Sequence, residues 1–299
     1  MLRLILMIMA VKTQGDATFY NAYNASTPLN AVVASEEAKP DYHLSKVYFD
    51  TLPGERVPTL LTRPTQFRGK LPCIVFLHGI GQDGDFLEEI TAPFNKNGFA
   101  MASFDQYSRG ERRLPRDAGY FSQAKAFRRR AAMTVIDTRR LLDYLVTRPD
   151  IDPERLYLVG ASYGAITGTT AAAFDKRFKA VVLIYGGGDI STLLSAPMIV
   201  DEAGKWIEIA KPIMEFYVGV SDPLRYIGMI SPRPVLFQNG SRDRLVDPRA
   251  GKKLQEACRE PKTISWYDSD HIGFDYEVVL QVLEEALQWL LDQDGRAGA

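Results

Sequence analysis

The sequence predicts an α/β fold: one domain on a mostly parallel, eight-stranded sheet, with helices on both faces and a small helical cap insertion. Three observations predict it. Short runs that are apolar without alternation, as strands buried between two helix layers require, recur along the chain. Stretches with near-helical apolar spacing fall between them. One run ends in Gly160-Ala161-Ser162-Tyr163-Gly164, the G-x-S-x-G of a strand-turn-helix elbow.

Taken in order, residues 1–41 form an N-terminal segment ahead of the domain at 42–299. Met1-Leu2-Arg3 and the apolar run 4–11, followed by small Thr13 and Gly15, have the charge and minimum length of a secretory signal. The same run would equally serve as a segment packing on the domain, so cytoplasmic and secreted locations both stay open. It is far too brief to span a bilayer, and no stable membrane insertion is expected. Residues 47–50 and 57–61 read as an opening antiparallel pair around Pro53-Gly54. Further strands are read at 73–77, 99–104, 156–159, 180–185, 234–238 and 263–267. Helical spacing appears through Ala131, Val135, Leu142 and Leu145, then at 165–174, 250–257 and 276–291. The stretch at about 186–231 is longer than a strand connection needs, with helical apolar content at 190–200 and 206–218. It is expected to form the cap, and Leu193, Leu194, Met198, Trp206, Ile213, Met214 and Phe216 are its candidates to line a pocket.

Composition narrows the function. The 299 residues are 46 % hydrophobic and 24 % charged, with a formal net charge of -1, and the basic residues form no long stripe. Nucleic acid is therefore not expected as a partner. The densest basic stretch, 125–130, reads as the solvated face of a helix, because Arg139 and Arg140 lie beyond acidic Asp137. Cys73 and Cys258 lie far apart in apolar patterns and read as buried small hydrophobes, with no disulfide framework or cysteine metal site. Gly186-Gly187-Gly188-Asp189 lacks both the following Lys-Ser/Thr and the G-x-G-x-x-G spacing of nucleotide sites.

In a parallel sheet the ligand sits at the carboxyl ends of the strands. Ser162 follows the strand at 156–159, Asp243 the strand at 234–238, and His271 the strand at 263–267. The order Ser, Asp, His, each after a strand, is the α/β-hydrolase order. The chain resembles an α/β-hydrolase fold serine carboxylesterase of the dienelactone-hydrolase and acetyl-xylan-esterase-like branch over roughly 42–291. The resemblance rests on Leu77-His78-Gly79, the elbow, Asp222-Pro223 through Ile230-Ser231-Pro232-Arg233-Pro234, and Asn239-Gly240-Ser241-Arg242-Asp243. Dienelactone hydrolases proper carry a cysteine nucleophile, so Ser162 favours ordinary ester hydrolysis.

A serine hydroxyl needs a general base, and three histidines are available. His43 precedes the core sheet in a polar stretch, and the resemblance makes His78 a brace of the oxyanion loop, which leaves His271 as the base. Asp243 is the carboxylate expected to orient it. Asp247, followed by Pro248, reads better as a helix cap, and Asp268 and Asp270 stand too close to His271 in sequence to face the ring's inner nitrogen. The resemblance implies an oxyanion hole of two backbone N–H groups, assigned to Tyr163 and Ile80, with Gly81 as the alternative to Ile80. In the stretch 105–111, Tyr107 or Arg109 could reach substrate, although Arg109 and Glu111 are expected to pair and brace the loop.

The expected activity is hydrolysis of short- to medium-chain carboxylic esters, a small-molecule substrate, without cofactor or metal. Alternatives are a peptidase like the prolyl oligopeptidase family, whose members usually carry a propeller for which this sequence has no room, a lactonase or acyltransferase, or a non-catalytic receptor on the same fold. Oligomeric state is not legible in the sequence.

Overall fold

The computed structural model describes residues 19–204 and 206–295; the apolar run expected to act as a signal or packing segment lies outside them. Nine strands form one sheet in the order β1-β2-β3-β5-β4-β6-β7-β8-β9. They are β1 (Val32–Ala38), β2 (Tyr42–Leu52), β3 (Glu55–Pro64), β4 (Leu71–Leu77), β5 (Ala100–Phe104), β6 (Ile151–Ala161), β7 (Phe178–Ile184), β8 (Val235–Gly240) and β9 (Lys262–Tyr267). β1 to β3 and the β3–β5 pair run antiparallel, and every pairing from β5 through β4 to β9 is parallel. The ninth strand corrects the expected eight. β1 is exposed along its whole length and joins the sheet through its ladder with β2, so no apolar pattern marks it in the sequence.

The longer helices are α1 (Leu87–Lys96), α2 (Tyr120–Leu145), α3 (Tyr163–Phe174), α7 (Pro248–Ala257) and α8 (Tyr276–Asp294), with three cap helices between β7 and β8, namely α4 (Ile190–Leu193), α5 (Pro197–Ala203) and α6 (Trp206–Val218). Two cores flank the sheet. On one face Val75, Leu158 and Val181 pack with Ala132 and Val135 of α2, Ala172 of α3 and Leu254 of α7. On the other, Ile74, Val159 and Val182 pack with Ile90 and Phe94 of α1 and with Val282, Ala286 and Leu290 of α8. Each fully buried Leu, Ile or Phe contributes about 1.5–3 kcal/mol relative to exposure, which is why the central strands β4, β6 and β7 are apolar on both sides.

Local signals set the helix ends. The Asp275 carboxylate accepts from the N–H groups of Glu277 and Val278, and Gly295, at φ 77°, ends α8 in the left-handed conformation. Asp247 likewise accepts from Arg249 N at 2.8 Å with Pro248 in the first turn of α7. α1 carries Pro93 inside it and is held by a buried polar set in which Asn95 Nδ2 donates to Phe99 O at 2.7 Å and Thr62 Oγ1 meets Thr91 Oγ1 at 2.7 Å.

Candidate active site

The elbow between β6 and α3 holds Ser162 at φ 55°, ψ -118°, a conformation rare for a residue with a side chain. Both flanking glycines are required by close approach. A Cβ on Gly160 would stand 2.4 Å from Gly164 O, and one on Gly164 would stand 1.8 Å from Leu77 O. The sharp turn therefore lifts the hydroxyl above the sheet end, where Ser162 is nearly buried at 9 % exposure.

His271 reaches it from the loop after β9. Its Nε2 lies 2.9 Å from Ser162 Oγ, and its Nδ1 lies 2.7 Å from Asp243 Oδ2. Asp243 is buried on the loop after β8, and its other oxygen accepts from the N–H groups of Leu245 and Val246, each at 2.8 Å. With both oxygens engaged, the carboxylate is fixed in one orientation. The two loops are locked together: Arg242 N donates to Ser269 O at 2.9 Å, and Asp270 Oδ1 accepts from Arg244 N and from His271 N. Tyr185 stands edge-on to the His271 ring with centroids 5.8 Å apart. Asp268 pairs with Arg242 and Asp270 braces the loops, so neither faces the ring nitrogens.

The loop after β4 closes the near side. His78 is fully buried, and its Nδ1 donates to Gly79 O at 2.9 Å. Burial pushes its pKa down to about 4, so the ring is neutral around pH 7. Gly79 N donates to Gln82 Oε1 at 2.9 Å, and neither the Ile80 nor the Tyr163 amide donates to a backbone or side-chain acceptor among the described residues. His43 is exposed on β2, far from this loop in the sheet.

Arg130 was missed. Expected on a solvated helix face, it is 1 % exposed, while Lys125 and Arg129 on the same helix are exposed. Its Nη1 donates to Ile80 O at 3.0 Å, Nη2 to Gly79 O at 3.3 Å and Nε to Gln106 Oε1 at 2.9 Å, while Gln106 Nε2 donates to His78 O at 3.0 Å. The guanidinium also lies 4.5 Å from the Tyr163 ring centroid. All of these acceptors are neutral, and burial pushes its pKa down to about 10, which leaves it charged near neutrality. A basic run of this kind carries no sequence mark of which member turns inward.

The expected pairing of Arg109 with Glu111 does not form. Glu111 pairs with Lys46 and accepts from Tyr48, whereas Arg109 Nε is buried without a hydrogen-bond partner. The loop is braced instead by Asp105, which accepts from Gly84 N at 2.9 Å and Glu111 N at 2.8 Å. Tyr107 lies under the Arg112 and Arg129 guanidiniums and does not line the cavities at Ser162, while Arg109 borders a neighbouring hollow.

Two cavities meet at Ser162. One, of about 210 Å³, runs past His271 between Phe76, Phe86, Val279 and Leu283. The other, of about 180 Å³, lies under the cap against Phe127, Ile166, Leu193, Leu194 and Met214. Of the cap candidates, Leu193, Leu194 and Met214 line this cavity, whereas Met198 and Ile213 are exposed and half-buried Phe216 lines neither cavity; the Trp206 side chain lies outside the described set.

A parallel sheet carrying a strained serine elbow, with Asp and His on successive later loops, defines an α/β-hydrolase of the serine type. The model of the prolyl oligopeptidase family matches residues 124–295 and that of acetyl xylan esterase (AXE1) matches residues 25–186. Each covers more than half of the chain and both include the elbow; the chain belongs to these two overlapping families and is a serine hydrolase of the esterase type. YtaP of Bacillus subtilis (strain 168), named as a hydrolase, is 22 % identical over 243 residues, covering 77 % of this chain and 79 % of that protein. Among solved structures, the acetyl xylan esterase from Paenibacillus sp. R4 is similar with a TM-score of 0.73 at 20 % identity, covering 91 % of this chain and 94 % of that one. Acetyl xylan esterase 1 from Thermoanaerobacterium sp. JW/SL YS485 gives a TM-score of 0.71 at 18 % identity, covering 95 % and 93 %. No helix among the described residues is long and apolar enough to cross a membrane.

Proposed function

We propose that the protein is a carboxylesterase that hydrolyses short- to medium-chain carboxylic esters through an acyl-enzyme on Ser162. The observation that carries this reading is the continuous hydrogen-bonded chain from Asp243 through His271 to Ser162 Oγ at the meeting point of two cavities. Ser162 Oγ attacks the ester carbonyl carbon as its proton passes to His271 Nε2. The carbonyl oxygen becomes an oxyanion, received by the Ile80 and Tyr163 N–H groups. The C–O bond to the alcohol then breaks, and Nε2 returns the proton to the departing oxygen. Water repeats the sequence on the acyl-enzyme: it gives a proton to His271, the Ser162–acyl bond breaks, and the acid leaves as Ser162 recovers its proton. Asp243 holds the Nδ1–H tautomer and stabilises the imidazolium throughout.

Labelling with an alkyl fluorophosphonate tests the proposal. Digestion and mass spectrometry are expected to find one adduct, on the peptide containing Ser162, formed in step with the loss of p-nitrophenyl butyrate hydrolysis. Hydrolysis that survives complete labelling of Ser162, or labelling elsewhere, would refute it. Peptide p-nitroanilides turned over faster than p-nitrophenyl esters would replace it with the peptidase reading that the prolyl oligopeptidase family match supports.

Arg130 acts in this scheme as a positioning residue. It binds the carbonyl of Gly79, which shares a peptide unit with the Ile80 N–H, and so polarises that donor while fixing its direction. Removing a single oxyanion donor typically costs about 10²–10³ in kcat. Arg130→Met is therefore expected to lower kcat by about 10² with a smaller change in KM, and Arg130→Lys to recover part of the loss. Steady-state kinetics with a thermal melt of each variant check this; an equal loss in both variants that follows the melting temperature would mean the guanidinium serves stability alone.

A further inference from the structure

Resting on that carboxylesterase reading, we infer that the two cavities divide the substrate, the acyl chain entering the one under the cap and the alcohol entering the one beside α8, and that the substrate is an ester apolar at both ends rather than an acetylated sugar. The assignment of sides follows from proton transfer. His271 Nε2 must reach the departing oxygen, and His271 lines the cavity bounded by Val279 and Leu283 but not the one bounded by Met214. The leaving alcohol therefore extends along α8. The acyl chain, on the far side of the tetrahedral carbon, is directed past Tyr163 and Ile166 to Leu194 and Met214.

The chemical class follows from the walls. In the alcohol cavity the polar side chains are Gln82, Ser162 and His271. The last two are hydrogen-bonded to each other, and Gln82 Oε1 accepts from Gly79 N, which leaves the Gln82 NH₂ as a single side-chain donor against the several hydroxyls of a sugar. A sugar there would press several hydroxyls against Phe76, Phe86, Ile90 and Leu283, and hydroxyls buried without partners oppose binding. An alkyl or benzyl group meets no such opposition. The acyl cavity offers Tyr163, Thr167 and Ser221 beside Ser162; the Thr167 hydroxyl already donates to Tyr163 O at 3.0 Å and the Ser221 hydroxyl to Val218 O at 2.6 Å, while the Tyr163 hydroxyl is buried without a hydrogen-bond partner and could meet one oxygen of an acyl chain but not the several of a sugar.

The test reads kcat/KM on two series. The first keeps p-nitrophenol and varies the acyl group from acetate through butyrate and hexanoate to octanoate. The second keeps acetate and varies the alcohol across methyl, hexyl and benzyl, with fully acetylated xylose as the sugar member. Wild type is expected to prefer hexyl and benzyl acetate to the acetylated xylose by at least about tenfold, although the sugar alkoxide leaves more readily. Met214→Trp should cut octanoate at least about tenfold relative to acetate while hexyl still ranks above methyl; Leu283→Trp should collapse the hexyl preference and leave the acyl ranking in place. Met214→Ala and Leu283→Ala shift the same two rankings toward larger groups and serve if a tryptophan variant does not fold. Preference for the sugar ester overturns the substrate class, and an exchange of effects between the two positions overturns the assignment of sides. Hydrolysis of none of these esters would instead overturn the carboxylesterase reading beneath both.

Discussion

Replacing Ser162 by alanine is expected to lower kcat for p-nitrophenyl butyrate by about 10⁶, with fold and melting temperature retained. The magnitude follows from a cooperative unit. His271 Nε2 stands 2.9 Å from the hydroxyl, and without that hydroxyl no acyl-enzyme can form. What remains is the stabilisation that preorganised N–H donors and binding give to water attack, worth about 10³–10⁴ over the uncatalysed rate. The variant keeps the elbow, because Gly160 and Gly164 set its close approaches and the Ser162 N–H still donates to Ile184 O. Kinetics of the purified variant beside a circular dichroism melt make the comparison. A residual rate above about one per cent of wild type is incompatible with Ser162 as nucleophile.

Asp243→Asn is the second large effect, expected to reduce kcat by about 10⁴ at neutral pH with little change in KM. One carboxylate oxygen accepts from Leu245 N and Val246 N, and the other faces His271 Nδ1. An asparagine at this position satisfies those two N–H groups with its single oxygen, which turns its NH₂ toward Nδ1. The imidazole must then accept there and carry its proton on Nε2, where it can no longer take the proton of Ser162. Asp247→Asn, Asp268→Asn and Asp270→Asn provide the contrast. Asp247 caps α7, Asp268 pairs with Arg242, and Asp270 holds loop N–H groups, so each is expected to lose less than about tenfold. A loss in any of them equal to that of Asp243→Asn would move the orienting role to that residue.

What short-range constraints enforce is legible in the order of residues. Continuous apolar runs marked β4 to β8, the elbow glycines marked the turn, and the order of Ser162, Asp243 and His271 after three strands marked the residues that meet at its tip. Those features are legible because strand burial, a strained turn and a capping carboxylate such as Asp247 each leave a local residue signature. Asp243 and Asp247 could be told apart for the same reason, since Pro248 makes the second a helix start.

Features whose partners come from elsewhere in the chain emerge only on folding. β1 has no buried face and joins the sheet through its ladder with β2. Arg130 sits in a basic run indistinguishable from a solvated face, and it is buried because the loops bearing Gly79, Ile80 and Gln106 present neutral oxygens to it. Glu111 met Lys46 rather than Arg109 because β2 runs beside that loop. In the cap, Met214 turned inward and Ile213 outward although both are apolar, since the docking of α6 beside α2, where Arg128 Nε donates to Tyr217 O, selects the face. A guanidinium, an edge strand or an amphipathic helix gains its stabilisation from groups distant in sequence, and only folding brings those groups together.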